Sequence, residues 1–129
     1  MNPVNKNATK EAAELLDYLY HVQGNGIITG QHTQTKPCEE IAYVKAVTGR
    51  EPKLRGFELL GYSPNINYSQ ASQECLTEVY ENQGTLDTAY KWATSTDGIV
   101  TFSFHWFSPI GGQDKSFYAR NTDFDASRV

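Results

Sequence analysis

Cysteine is scarce in this sequence, long hydrophobic runs are absent, and positive charge is not in excess. The 129 residues include two cysteines and carry a formal net charge of −4. No apolar run approaches the roughly 20 residues that a membrane-spanning helix needs. Without a basic stripe, nucleic acid is not an expected partner. Residues 1–7 contain no apolar core of a signal peptide, so the sequence itself carries no secretion signal.

The two cysteines, Cys38 and Cys75, do not form a recognisable site. No Cys/His spacing resembles a zinc site, and we expect no metal or cofactor. Two buried or half-buried thiols are the simplest interpretation. A disulfide between them is the alternative in an oxidising compartment.

Aromatic residues are abundant, at 12% of a chain long enough for one modest domain. This composition suits a packed core or a sugar-binding surface. One aromatic and β-branched run, Ile99 to Phe104, predicts a buried strand that leads into His105 and Trp106. Pro109 and Gly111-Gly112 then predict a loop. Parallel α/β folds build their sites from such side chains at the carboxyl ends of strands.

Helical and strand patterns alternate along the chain. This alternation predicts a parallel sheet with right-handed crossovers. Three parallel strands make a poor independent domain, so we expect the sequence to belong to a larger fold. The predicted elements are a helix over 9–23, a strand over 27–29, a helix from Pro37 to Gly49, a strand over 53–59, a short helix around 72–81, a helix capped by Thr85 and the strand over 99–104.

Four segments, taken together and in this order, resemble glycoside hydrolase family 26. They are GIITGQH at 26–32, TGREPKLRGF at 48–57, GIVTFSFHW at 98–106 and SFYARNTDFD at 116–125. The family consists mainly of endo-β-1,4-mannanases, with some β-1,3-1,4-glucan hydrolases and xylanases. The resemblance implies an α/β fold, a partial (β/α)₈ TIM barrel that holds the N-terminal helix, parallel strands 1–3 and their connecting helices. Residues 1–129 would then be a truncated N-terminal portion of the catalytic barrel.

The resemblance also implies which part of the chemistry this sequence holds. The family's general acid/base Glu follows strand 4 and its nucleophile Glu follows strand 7, so both are expected beyond residue 129. Retaining hydrolysis needs both carboxyl groups. The chain is therefore expected to be a fragment of a retaining endo-β-glycosidase that hydrolyses β-1,4-mannan, and to be inactive alone. The family is usually secreted, although this sequence carries no signal.

Four residues are the candidates for substrate binding. His105 matches a family histidine that lines the subsite of the attacked sugar; a packed histidine is the alternative. Trp106 could stack on a sugar ring, although strand alternation turns it away from His105. Glu58 ends the second strand and could bind a hydroxyl, orient His105, or form a plain salt bridge. His32 ends the first strand, where a surface histidine is equally compatible with the pattern.

Other functions stay open on the sequence alone. The chain could be a stand-alone, non-catalytic carbohydrate-binding or interaction module, or belong to a different enzyme of the same barrel superfold. Within the family, the sequence does not choose mannan over mixed-linkage glucan or xylan. A fragment predicts large exposed apolar faces and an open sheet edge, whereas a module predicts a closed fold.

Overall fold

A computed structural model describes residues 3–36 and 38–108 of the chain. Four α-helices, three strands and one short 3₁₀ helix follow one another in this part. In chain order they are α1 (Lys10–Val22), β1 (Gly30–His32), α2 (Glu39–Thr48), β2 (Leu54–Glu58), the 3₁₀ helix (Leu60–Tyr62), α3 (Gln73–Glu81), α4 (Thr85–Ser95) and β3 (Ile99–Ser103). Pro37, Pro109, Gly111-Gly112 and the segment 116–125, which the sequence singled out, lie outside the described residues.

The three strands form one parallel sheet in the order β1-β2-β3. Gly30 pairs with Leu54 across the first ladder, and Glu58 pairs with Ser103 at the end of the second. Parallel pairing brings the carboxyl ends of all three strands to one edge of the sheet. The predicted strand order and direction are therefore confirmed.

The predicted position of the first strand is wrong by three residues. Ile27 is 92% exposed, and the ladder begins only where the Leu54 amide donates to the carbonyl of Thr29. A Cβ added at Gly30 would lie 3.0 Å from a methyl carbon of Leu54, so glycine allows the two strands to approach closely. The isoleucine-rich run before it favours a strand locally but has no pairing partner in the described sheet.

The helix boundaries follow local chemistry. Thr9 caps α1 by accepting from the amide of Ala12. Gly49 ends α2 in the left-handed conformation that glycine adopts without strain. The predicted cap of α4 is wrong, because Gly84 occupies the N-cap and Thr85 is the first helical residue. The hydroxyl of Thr85 bonds to other parts of the chain instead.

A hydrophobic cluster lies where α3 packs against the 3₁₀ helix. Its buried residues are Leu60, Cys75, Val79 and Phe107, and the other buried apolar side chains of the described chain are Ile41 on α2, Phe57 on β2 and Ala89 on α4. Cys75 is thus packed in this cluster, and no disulfide joins it to Cys38. None of the helices in the described part has the length and apolar character needed to cross a membrane.

Candidate functional site

Glu58 is the centre of the hydrogen bonds at the carboxyl edge of the sheet. It is only 7% exposed. One carboxylate oxygen, Oε2, accepts from the Ser103 hydroxyl at 2.5 Å and lies 2.7 Å from Nδ1 of His105. The other, Oε1, accepts from the His105 amide at 2.9 Å. One buried carboxylate therefore fixes both the backbone and the ring of His105.

The strand register explains how these residues meet. Glu58 and Ser103 are paired neighbours in the β2–β3 ladder, so their side chains project from the same face of the sheet. His105 follows Ser103 by two residues, and alternation returns its side chain to that face. Three positions in two strands thus converge because the parallel register aligns them.

The carboxylate of Glu58 is held in its ionised form. Burial by itself raises the pKa of Glu58, but the hydrogen bonds from the Ser103 hydroxyl and from the amide and ring of His105 outweigh it. The resulting pKa lies below the ordinary value of 4.5. An ionised carboxylate only accepts hydrogen bonds, so Nδ1 of His105 carries the proton in this contact.

A cavity of about 300 Å³ opens beside this pair. Its lining is mainly polar, and it includes three of the four predicted site residues. The lining residues are His32, Thr33, Gln34, Glu40, Glu58, Leu60, Glu78, Asn82 and His105. His32 reaches it beside Gly56, where an added Cβ would lie 2.5 Å from Nδ1 of the histidine. Gly56 therefore provides the space that the His32 ring occupies.

Sequence reasoning missed two acidic residues in this lining, Glu40 and Glu78. Glu40 lies in the first turn of α2, and its carboxylate accepts a hydrogen bond from the Thr33 hydroxyl. That bond, together with its own backbone amide, lowers the pKa of Glu40 below the ordinary value. Glu78 lies on α3, in the polar segment with the weakest sequence pattern, where no local signal marked it.

Trp106 lies elsewhere. Its ring meets that of Phe104 edge-on, with the centroids 6.0 Å apart, and it does not line this cavity. This position agrees with the strand alternation, which turns Trp106 away from His105. In the part of the chain that the structure describes, no group of three or more His, Cys, Asp or Glu side chains is arranged to hold a metal ion.

Comparison with known proteins identifies the family. The family model described as glycosyl hydrolase family 26 matches residues 4–129. The chain belongs to this family. It carries its Glu58–His105 pair at the carboxyl ends of two adjacent parallel strands, the edge at which barrel enzymes place their sites.

Curated and solved members of the family cover most of this chain. The mannan endo-1,4-beta-mannosidase of Thermothelomyces thermophilus is 30% identical over 133 residues, which are 95% of this chain and 24% of that protein. The Podospora anserina GH26-CBM35 beta-(1,4)-mannanase superimposes with a TM-score of 0.72 at 30% identity, over 98% of this chain and 27% of that one. A ruminal GH26 endo-beta-1,4-mannanase gives a TM-score of 0.64 at 31% identity, over 81% and 20% of the two chains.

These matches have two consequences. The chain spans about a quarter of the length of the relatives it matches. Its three parallel strands and their helices correspond to part of a TIM barrel, as the sequence predicted. The roles of His105, Glu58, His32 and Trp106 in substrate binding stay predictions.

Proposed function

We propose that this chain forms one wall of the substrate cleft of a retaining endo-β-glycosidase that hydrolyses β-1,4-mannan. The observation that carries the proposal is the Glu58–His105 pair, joined at 2.7 Å beside a polar cavity at the carboxyl edge of the sheet.

The chemistry of the pair suits a sugar. Because Glu58 holds the proton of His105 on Nδ1, the ring's other nitrogen, Nε2, can accept a hydrogen bond from a sugar hydroxyl when the ring is neutral and donate one when it is charged. Carboxylates and amides around the cavity are strong partners for further hydroxyls. Glu58 and His105 would hold one sugar hydroxyl, Glu40 and Glu78 would accept hydrogen bonds from others, and Asn82 would accept or donate.

The proposal assigns the bond-breaking carboxyl groups to protein outside residues 1–129. Retaining hydrolysis needs an acid/base and a nucleophile about 5–5.5 Å apart across the glycosidic bond. Glu58 already binds Ser103 and both the amide and ring of His105, which suits positioning better than attack. The share of the relatives that the chain covers, about a quarter, supports a catalytic pair supplied by further sequence.

The exposed apolar surface favours this proposal over a stand-alone carbohydrate-binding module. Phe102 and Phe104 on and just after β3 are 44% and 46% exposed, and α1 buries none of its residues. A closed module would cover such faces. The names of the curated and solved relatives support mannan as the substrate; activity on mixed-linkage glucan or xylan instead would correct that choice.

A histidine substitution tests the assignment in the longer enzyme that this proposal implies, namely a protein that contains this chain together with the catalytic pair. We expect His105→Ala to lower kcat/KM on β-mannan by about 100-fold or more, the scale of a lost positioned hydrogen-bonding group. His21→Ala is the matched control, because His21 is exposed on α1 and away from the cavity. A loss below about threefold for His105→Ala would reduce this residue to packing.

The purified 129-residue chain gives the second test. We expect it to release no reducing sugar from galactomannan, because it lacks the proposed catalytic pair. Turnover by the chain, abolished by Glu58→Gln, would contradict the proposal and place a catalytic carboxyl group within it.

A further inference from the structure

The hydroxyl of Thr85 is fully buried and contacts three oxygen atoms from three different segments. It lies 2.9 Å from the carbonyl oxygen of Glu58, 2.8 Å from that of Asn82 and 2.5 Å from the hydroxyl of Thr35. The sequence suggested a helix cap at this residue, a role that Gly84 takes instead. The hydroxyl is therefore left for contacts beyond its own helix.

Counting protons fixes the direction of these bonds. A threonine hydroxyl has one proton to donate and two lone pairs that accept. The partners from Glu58 and Asn82 are carbonyls, which only accept, so the single Thr85 proton serves these two. Thr35 must then donate its own proton to Thr85.

The three partners belong to three walls of the cavity. Thr35 lies in the loop after β1, whose residues Thr33 and Gln34 line the cavity. Asn82 ends α3, lines the cavity itself and accepts at Oδ1 from the Thr35 amide at 3.3 Å. Glu58 ends β2. One hydroxyl thus joins the β1 loop, the end of α3 and the end of β2.

The bond to Glu58 acts on a single peptide unit. The carbonyl of Glu58 and the amide of Leu59 belong to the same planar group. Thr85 donates to the carbonyl, and the Leu59 amide donates to the carbonyl of Ser103 at 2.9 Å. With both ends held, this plane has one orientation, and the Glu58 side chain leaves the strand toward His105.

We propose that Thr85 is a positioning residue, which acts through the backbone of Glu58 to hold the Glu58–His105 pair in its binding geometry. This inference rests on the proposed function of that pair. Without the hydroxyl, the peptide plane is held at one end only, and the carboxylate moves relative to the His105 ring.

The test compares Thr85→Val with Thr85→Ser in the longer enzyme. Valine keeps the shape of threonine without the hydroxyl, and serine keeps the hydroxyl. We expect Thr85→Val to lower kcat on β-mannan by about 10- to 100-fold, the cost of a misplaced site group, and Thr85→Ser to restore it to within about threefold. Thr94→Val is the control, because it removes an exposed hydroxyl that bonds the Tyr90 carbonyl in the same helix.

A spectroscopic readout separates positioning from general destabilisation. The ¹⁵N shift of His105 Nδ1 reports whether this nitrogen carries the proton. In folded Thr85→Val we expect it to move toward the value of an unprotonated ring nitrogen, because Glu58 no longer holds the proton there. In Thr85→Ser and Thr94→Val it stays at the wild-type position. If the valine variant does not fold, Thr85→Cys replaces it, since a thiol is only a weak donor.

The outcomes distinguish this inference from the proposed function. Full activity in Glu58→Gln and His105→Ala overturns the function of the pair, and the inference with it. Loss of activity in those two variants, with wild-type kcat and an unmoved Nδ1 shift in Thr85→Val or Thr85→Cys, overturns the role of Thr85 alone.

Discussion

Helices α1 and α3 differ in what they pack against. The longer α1 carries Leu15, Leu16, Leu19 and Val22 at helical spacing, yet it has no buried residue. The shorter α3 buries Cys75 and Val79 against Leu60 and Phe107. Apolar spacing predicts a helix in both cases, but full burial requires a facing surface, and of these two helices only α3 packs closely enough on its neighbours to bury residues in the described chain.

A similar difference in burial separates the surroundings of the cavity from the surface of β3. Beside the cavity, polar groups are buried and paired, as with Glu58 and Thr85. On β3 and just beyond it, Phe102, Phe104 and Trp106 keep between a third and a half of their surface exposed. We therefore expect substitutions near the site, where α3, the 3₁₀ helix and the strand ends meet, to cost more stability than substitutions on the exposed surface of β3.

Truncating one leucine beside the cavity and one on α1 is expected to give the largest difference in stability between the two regions. Leu60 is fully buried, whereas Leu19 on α1 is 39% exposed. We expect Leu60→Ala to lower the free energy of unfolding of the 129-residue chain by about 2–5 kcal/mol. Leu19→Ala should cost less than about 1 kcal/mol there, because little packing is lost. Urea denaturation measures both.

Equal losses of unfolding free energy for Leu60→Ala and Leu19→Ala in the 129-residue chain would contradict the difference in packing between the two regions. Measuring Leu19→Ala in the longer enzyme then tests whether α1 is covered there. If further protein covers α1 there, the cost of this substitution rises toward that of Leu60→Ala. An unchanged cost would show that the α1 face stays exposed in the longer enzyme.

Much of the fold could be predicted from the sequence because its signals are local. Gly49 marked the end of α2, and the β-branched run from Ile99 marked β3. The first strand was misplaced because Ile27 and Ile28 favour a strand locally, while pairing with Leu54 selects Gly30–His32. Register is a property of two segments, and one segment alone does not contain it.

The site divides in the same way. His105 and Glu58 could be selected because each ends a predicted strand. The role of Thr85 could not, because its hydroxyl joins residues 27 and 50 positions away in the chain. Glu78 and Asn82 could not be selected either, since they enter the cavity only after α3 packs on Leu60.

Removing one buried and one exposed carboxylate tests how much the electrostatic contacts of the two regions contribute to stability. Glu58→Gln should lower the free energy of unfolding of the 129-residue chain at pH 7 by about 1–3 kcal/mol, since it disrupts buried hydrogen bonds. Asp97→Asn breaks an exposed pair with Lys53 at 2.7 Å, which solvent screens, and should change it little.

The pH dependence of stability tests the direction in which folding shifts the pKa of Glu58. Because folding lowers the pKa of Glu58 below 4.5, its contribution is complete above that value and is lost as pH falls through the lower folded pKa. Urea denaturation of the chain across acidic pH should therefore show a flatter decline in Glu58→Gln than in wild type. Equal declines would mean that Glu58 is not held in its ionised form.

Helix caps give the smallest expected difference. Ser72 caps α3 by accepting from the Cys75 amide at 3.2 Å, and Thr9 caps α1 by accepting from the Ala12 amide at 3.3 Å. Ser72→Ala should cost about 1 kcal/mol of global stability, because α3 unfolds together with the core. Thr9→Ala should cost less globally and instead speed amide exchange within α1, since a helix without buried residues opens locally. Equal global costs would mean that α1 unfolds with the core, so that the difference in burial between the two helices does not divide the chain into separate cooperative units.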